Sequence, residues 1–309
     1  MKVGVHTSIA GGLENAAQHA NTIGCDTFQM FSANPRGWSS ATPAPEAYER
    51  FRAATERYGL APVVVHANYL INLAAVDGLI REKSIAAFRK ELERASALGA
   101  DYLVVHPGSA KGSSPARAVT QSIESLCQAA AGMKLDGLTV LIENTAGQGS
   151  AIGRSFDEVA EIVLRAEGQI PVGACIDTAH CFASGYAVHT VEGLQETVRR
   201  LDVSLGLARL RVIHANDSRS AFGSYCDRHE HIGKGQIGAE AFARIVRHPE
   251  LRMIPFICET PVDKPGDDRR NLRMMRKLAG ESGEGNPGRA RLRAAASSRS
   301  RDSSAAAAD

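Results

Sequence analysis

The feature that most constrains this chain is one supersecondary unit repeated along its length. Short β-branched or apolar runs recur every few tens of residues: KVGVH (2–6), DTFQMFS (26–32), PVVVHANY (62–69), DYLVVHPGS (101–109), TVLIENT (139–145), VGACIDTAH (172–180), LRVIHANDS (210–218) and PFICET (255–260). Runs this apolar suit parallel strands covered on both faces. Segments with helical spacing lie between them, at 13–24, 46–59, 80–99, 115–133, 155–168, 191–206 and 238–248. The segment at 80–99 ends on a glycine placed for a C-cap; the one at 155–168 opens with a serine followed three residues later by an acid. Eight such alternations predict a single α/β domain, a (β/α)8 TIM barrel, over residues 1–278. A doubly wound sheet would have fewer strands and a glycine-rich phosphate loop after the first, and TSIAGG has neither spacing.

Composition narrows the classes further. At 309 residues with 44% hydrophobic and 23% charged residues, the chain has ample material for one large core. No stretch approaches the roughly 18 apolar residues of a membrane span. MKVGVH begins directly on a strand pattern without an apolar leader, so a cytoplasmic protein with no membrane partner is expected. The six cysteines are scattered without a C-x-x-C pair, which argues for core thiols rather than a disulfide framework or a thiolate zinc knuckle. A net charge of +2 gives no strong overall field, so any nucleic-acid surface must be a local patch.

The strand ends hold the chemistry. Seven of the eight runs end in a histidine or a carboxylate: His6, His66, His106, Glu143, Asp177, His214 and Glu259; only the second, which leads into NPRGW, does not. In this fold the strand ends run into loops that share one mouth, so these groups should converge. Imidazoles mixed with carboxylates, with no matching cluster of cations, call for metal ions, and a nitrogen-rich set favours zinc or a neighbouring transition metal. Adding His180, Asp227 and His229, and leaving out His6, gives nine candidate ligands. A catalytic zinc takes about three protein ligands, so nine imply two or three ions with bridging carboxylates. Multi-metal sites suit phosphoryl chemistry. No G-x-S-x-G elbow supports a serine hydrolase, and a glycosidase acid–base pair of Glu143 and Glu259 leaves the histidines unexplained. The stretch D-R-H-E-H (227–231) is the densest cluster; strict alternation puts Asp227, His229 and His231 on one face.

These motifs together resemble the endonuclease IV family of zinc-dependent apurinic/apyrimidinic endonucleases. VHTSIAGGL (5–13), NPRGW (34–38), HANYLINLA (66–74), HPGS (106–109), IENTAGQGS (142–150), CIDTAHCFASGY (175–186), HANDSRSAFGSYCDRHEHIGKGQIG (214–238) and ICET (257–260) carry the likeness. The resemblance implies a three-Zn2+ centre, with one site able to take Mn2+ or Fe2+. His66 and His106 would bind the first zinc, with Glu143 bridging the first two; Asp177, His214 and Glu259 complete the second. His180, Asp227 and His229 form the third, which leaves His231 as a neighbour. It further implies hydrolysis of the phosphodiester 5′ to an abasic site in double-stranded DNA by a monomer, with Glu143 and Glu259 catalytic and Glu259 orienting the attacking hydroxide. The products carry a 3′-hydroxyl and a 5′-deoxyribose phosphate, and 3′-end cleaning is expected as well. Nucleotide flipping would use Arg36, Tyr69 and Leu70 as the residues that fill the gap. Ala67 and Lys234 depart from the acidic residues that some members have there. The competing readings are a metal-dependent sugar isomerase or epimerase on a related barrel, and a non-catalytic zinc protein that binds damaged DNA. From 279 to 309 small residues dominate, with five arginines between 289 and 301, and a disordered tail is expected.

Overall fold

The computed structural model describes residues 1–38 and 42–281. Of the expected tail, the part from 282 onward lies outside the described residues. Eight parallel strands close into a barrel: β1 (Val3–Thr7), β2 (Phe28–Phe31), β3 (Val63–His66), β4 (Tyr102–Val105), β5 (Thr139–Glu143), β6 (Val172–Asp177), β7 (Leu210–His214) and, last in the chain, β10 (Phe256–Cys258), which pairs with both β7 and β1. Between β7 and β10 the chain adds a small antiparallel pair, β8 (Asp217–Ser218) with β9 (His229–Glu230).

The outer ring is formed by α1 (Leu13–Ile23), α2 (Pro45–Tyr58), α3 (Gly78–Leu98), α4 (Pro115–Ala130), α5 (Phe156–Ala166), α7 (Val191–Leu205), α8 (Ala239–Arg247) and α9 (Asp267–Ala279), while the short α6 (Thr178–Ala183) follows β6 directly and is wholly buried. The local signals behave as their chemistry dictates. Gly99 caps α3 in the left-handed conformation, and Ser155 with Glu158 forms a complete capping box on α5. Two helices escape the sequence reading: α6, of six residues, and α9, which extends the barrel domain to Ala279 before Gly280 caps it.

Strand alternation explains where the site sits. One face of each strand packs under the helices in the large outer core, and the other face points into the barrel. Inside, Val64, Val104, Leu141, Cys175, Val212 and Ile257 form a separate apolar cluster. Fully burying each of the larger of these is worth about 1.5–3 kcal/mol, so they make a firm, dry floor. Two residues further along each strand, the next inward position holds His66, His106, Glu143, Asp177, His214 and Glu259 in turn. Six strands thus step from hydrocarbon to ionisable groups at the same level.

Candidate metal centre

Above this floor the side chains gather into three groups whose ligand atoms lie within 4.8 Å of one another: His66, His106 and Glu143; Glu143, Asp177, His214 and Glu259; and Asp177, His180 and His229. Glu143 is shared by the first two groups and Asp177 by the last two. The Glu143 carboxylate meets Nε2 of His66 at 3.1 Å and Nε2 of His106 at 3.0 Å through one oxygen, and Nδ1 of His214 at 2.9 Å through the other. Asp227 faces the third group, 3.2 Å from Nε2 of both His180 and His229.

The imidazoles are set by groups that only accept hydrogen bonds. Nδ1–H of His66 donates to the Ala67 carbonyl (2.8 Å), that of His180 to the Asn144 carbonyl (2.9 Å) and that of His229 to the Glu259 carbonyl (3.0 Å). Each therefore aims its Nε2 at the interior. His214 is turned the other way, because its Nε2–H donates to Oε1 of Gln29 at 2.8 Å, leaving Nδ1 toward the carboxylates. Gln29 is oriented in turn by its amide NH2, which donates to Glu259 (2.5 Å) and reaches Nδ1 of His6 (3.0 Å). The Asn216 amide binds the Asp177 carboxylate at 2.5 Å and accepts from the Glu259 backbone N–H at 2.7 Å.

Electrostatics within the cluster show what it is built to hold. Burial opposes a charge on Glu143, yet His214 and His106 outweigh it and hold the carboxyl well below its usual range. Glu259 is lowered in the same way, chiefly by His214, and Asp227 by His180 and His229. Burial likewise opposes the imidazolium, but Asp177 and Asp227 push His180 up to about 10 and His229 to about 9. Protons on histidines thus balance the carboxylates. A divalent cation bonded to the same lone pairs does this better, because it bridges several ligands at once. The buried Nε2 of His229 makes no well-aligned hydrogen bond, although Asp227 lies 3.2 Å away, and so fits a ligand position. The donor set, nitrogen and carboxylate without thiolate, fits zinc or a neighbouring transition metal.

The D-R-H-E-H stretch divides its work. The alternation that groups His231 with Asp227 and His229 does not hold, because β9 ends at Glu230. His231 instead turns to α9, with Nδ1 3.0 Å from the Asn271 amide. The partner for Asp227 and His229 is His180, from the first turn of α6.

Over residues 17–278 the chain matches the family described as a xylose isomerase-like TIM barrel. A probable endonuclease 4 of Solibacter usitatus is 51% identical across 91% of this chain and 97% of its own length. One from Methanoculleus marisnigri is 43% identical, covering 90% and 99%. The crystal structure of endonuclease IV from Thermus thermophilus superposes with a TM-score of 0.80 at 38% identity, covering 91% of this chain and all of that one. The chain belongs to the endonuclease IV family. A D-tagatose 3-epimerase-like protein, at 20% identity with a TM-score of 0.64 over 91% of this chain and 97% of its own, shares the barrel fold only.

In this endonuclease IV family member the residues expected to touch DNA stand on two loops beside the cluster. Arg36 is exposed on the β2–α2 loop, and Tyr69, 60% exposed, lies with its ring 5.8 Å from that of His66. Asn68 braces the two loops: its amide donates to the Gly37 carbonyl (2.6 Å) and its Oδ1 accepts from the Leu70 N–H (2.7 Å). Neither this brace nor the orienting role of Gln29 was marked by an ionisable side chain, and sequence reasoning missed both.

Proposed function

We propose that the protein is a metal-dependent DNA-repair nuclease that hydrolyses the phosphodiester on the 5′ side of an abasic site in duplex DNA. His66 and His106 would hold one zinc, Glu143 would bridge it to a second held by Asp177, His214 and Glu259, and His180, Asp227 and His229 would hold a third. Ions at these positions supply Lewis acidity, both lowering the pKa of a water and neutralising charge on phosphoryl oxygens. The chain's own part is to fix geometry and manage protons. Glu259, held by Gln29 on one side and through its backbone by Asn216, orients the attacking water and accepts its proton. Arg36, Tyr69 and Leu70 fill the gap left at the missing base and replace its lost stacking, and the lesion nucleotide turns out toward the cluster. The same chemistry serves removal of 3′-blocking groups.

The observation behind this reading is the convergence of eight imidazoles and carboxylates into three adjoining groups, with Asp227 facing the third and the inward nitrogen of each buried ring selected by a neighbour. A sugar isomerase would need neither the third group nor the braced, exposed Arg36 and Tyr69 loops. The deciding experiment is a duplex oligonucleotide with a single abasic analogue, incubated with metal-replete protein. A single nick 5′ to the lesion, with zinc found by elemental analysis, is expected. No nick from fully loaded protein refutes the proposal.

A further inference from the structure

One strongly charged surface lies outside the cluster. After D-R-H-E-H the chain turns at Gly233 and lies against α9, and between them runs an open groove of about 360 Å³. Its wall presents Lys234 from the loop and Arg270, Arg273 and Lys277 from the helix, with no carboxylate in the lining. All four are exposed. Arg270 is tied to Asp267, but among the described residues Lys234, Arg273 and Lys277 have no ion-pair partner. Positions 270, 273 and 277 are three and four residues apart, so they share one face of α9. At 1.5 Å per residue the row is about 10 Å long.

The groove is rigid on the loop side. Asp217 accepts the N–H groups of Gly233 and Gly235 at 3.0 Å each, so Lys234 sits between two clamped residues. Asn271 on α9 takes the Ile232 N–H at 3.0 Å and reaches His231. The groove therefore starts on the loop that also presents Asp227 and His229 and runs outward along α9. One DNA strand places a phosphate about every 3.4 Å of helix axis, so a 10 Å row of cations spans about three of them.

We infer that this groove is a second phosphate track, which holds the sugar–phosphate backbone of duplex DNA flanking the lesion without reading base sequence. The inference rests on the DNA-directed reading above. Its test separates the two. The full-length chain and the Lys234→Gln/Arg273→Gln/Lys277→Gln variant are titrated by fluorescence anisotropy with an intact duplex, between about 50 and 200 mM salt. Intact duplex needs no incision, so the result does not depend on catalysis. Each lost phosphate contact lowers the slope of log K against log salt by about 0.9, and a total drop of about 2 to 3 is expected. The drop should be the same on a lesion-bearing duplex in a Glu259→Gln background, and absent on a duplex too short to extend past the mouth. An unchanged slope on the long duplex, with the variant folded by circular dichroism, overturns the track. So does equal loss on long and short duplexes. Competition by inorganic phosphate at fixed ionic strength, seen in the parent and not in the variant, would mark a small-anion site and overturn it too. If the parent binds intact and abasic duplexes equally and never nicks, the functional proposal fails while the slope still reports on the groove.

Discussion

Replacing Asp217 by asparagine should destabilise the protein and open the third ligand group, though Asp217 touches no ligand. Its carboxylate is fully buried and accepts five backbone N–H groups: Ser218 at 2.8 Å and Ile237 at 2.9 Å on one oxygen, Gly233 and Gly235 at 3.0 Å on the other, and Gly238 at 3.2 Å. The packing around it is close: a Cβ on Gly235 would lie 2.6 Å from Asp217 Oδ1 and 2.4 Å from the Ser218 carbonyl. An amide retains one acceptor oxygen and turns an NH2 toward donors, so two or three N–H groups lose their acceptor. At about 1–3 kcal/mol for each, the cost is roughly 2–9 kcal/mol. Set against a total stability of about 5–15 kcal/mol, that is a large fraction. Urea unfolding should show a lower midpoint at unchanged m-value. Hydrogen exchange should speed up selectively across 231–238, and of the metal taken up on loading, any bound by the proposed group of His180, Asp227 and His229 should be lost first. An unchanged urea midpoint, or full exchange protection of 231–238 in a destabilised variant, refutes the reasoning.

Glu259→Gln should keep the fold and most of the metal while cleavage of the abasic duplex falls by about 10²–10⁴-fold, the scale of a lost general base; normal turnover would remove Glu259 from its role. The pH dependence has a definite sign. The folded values of His180 (about 10) and His229 (about 9) lie above the ordinary 6.5, so in metal-free protein their contribution to stability is complete below about pH 6.5 and is lost as pH rises through 9 to 10. Metal loading must displace those protons, so zinc titrations near neutral pH, run calorimetrically in buffers of different ionisation heat, should show net proton release, and zero release would contradict the charge balance described. Tyr69→Ala removes an exposed ring, and its melting temperature should barely move, since surface substitutions fall within about ±0.5 kcal/mol. Binding to the abasic duplex should weaken by about 1–3 kcal/mol if the ring stacks in the gap, and unchanged binding would exclude that contact.

How much of this was legible in the sequence follows from which physical signal each part leaves. The six inward strand-end imidazoles and carboxylates stood out because an ionisable group interrupts a buried apolar run. His180 was a candidate only through its closeness to Asp177, since it sits past the strand on a six-residue helix whose start is capped by Asp177. Gln29 was silent because an amide within DTFQMFS carries no charge, although it selects the nitrogen that His214 presents. Helix α9 was missed because DDRRNLRMMRKLA is mostly charged; its buried face includes Arg276, made tolerable there by Asp26 at 2.9 Å and the Gly24 carbonyl at 2.7 Å. The misplacement of His231 has the same root as the success with the strands: alternation holds only while the chain stays extended, and β9 is two residues long.

The distribution of exposure within the cluster gives it a direction. Glu143, Asp177 and His214 are fully buried, and the side chains of His66 and His180 are 3% exposed, so they form a closed base over the apolar floor. The side chains of His106 and Asp227 are 36% and 38% exposed and mark the open edge. On the proposed reading a scissile phosphate must enter between these two, with Tyr69 beside His66 on one flank and the Lys234 loop, continuous with Asp227, on the other. Charge on the incoming phosphate then meets the least buried ligands first. The buried carboxylates, already balanced by their histidines, repel it least from that side.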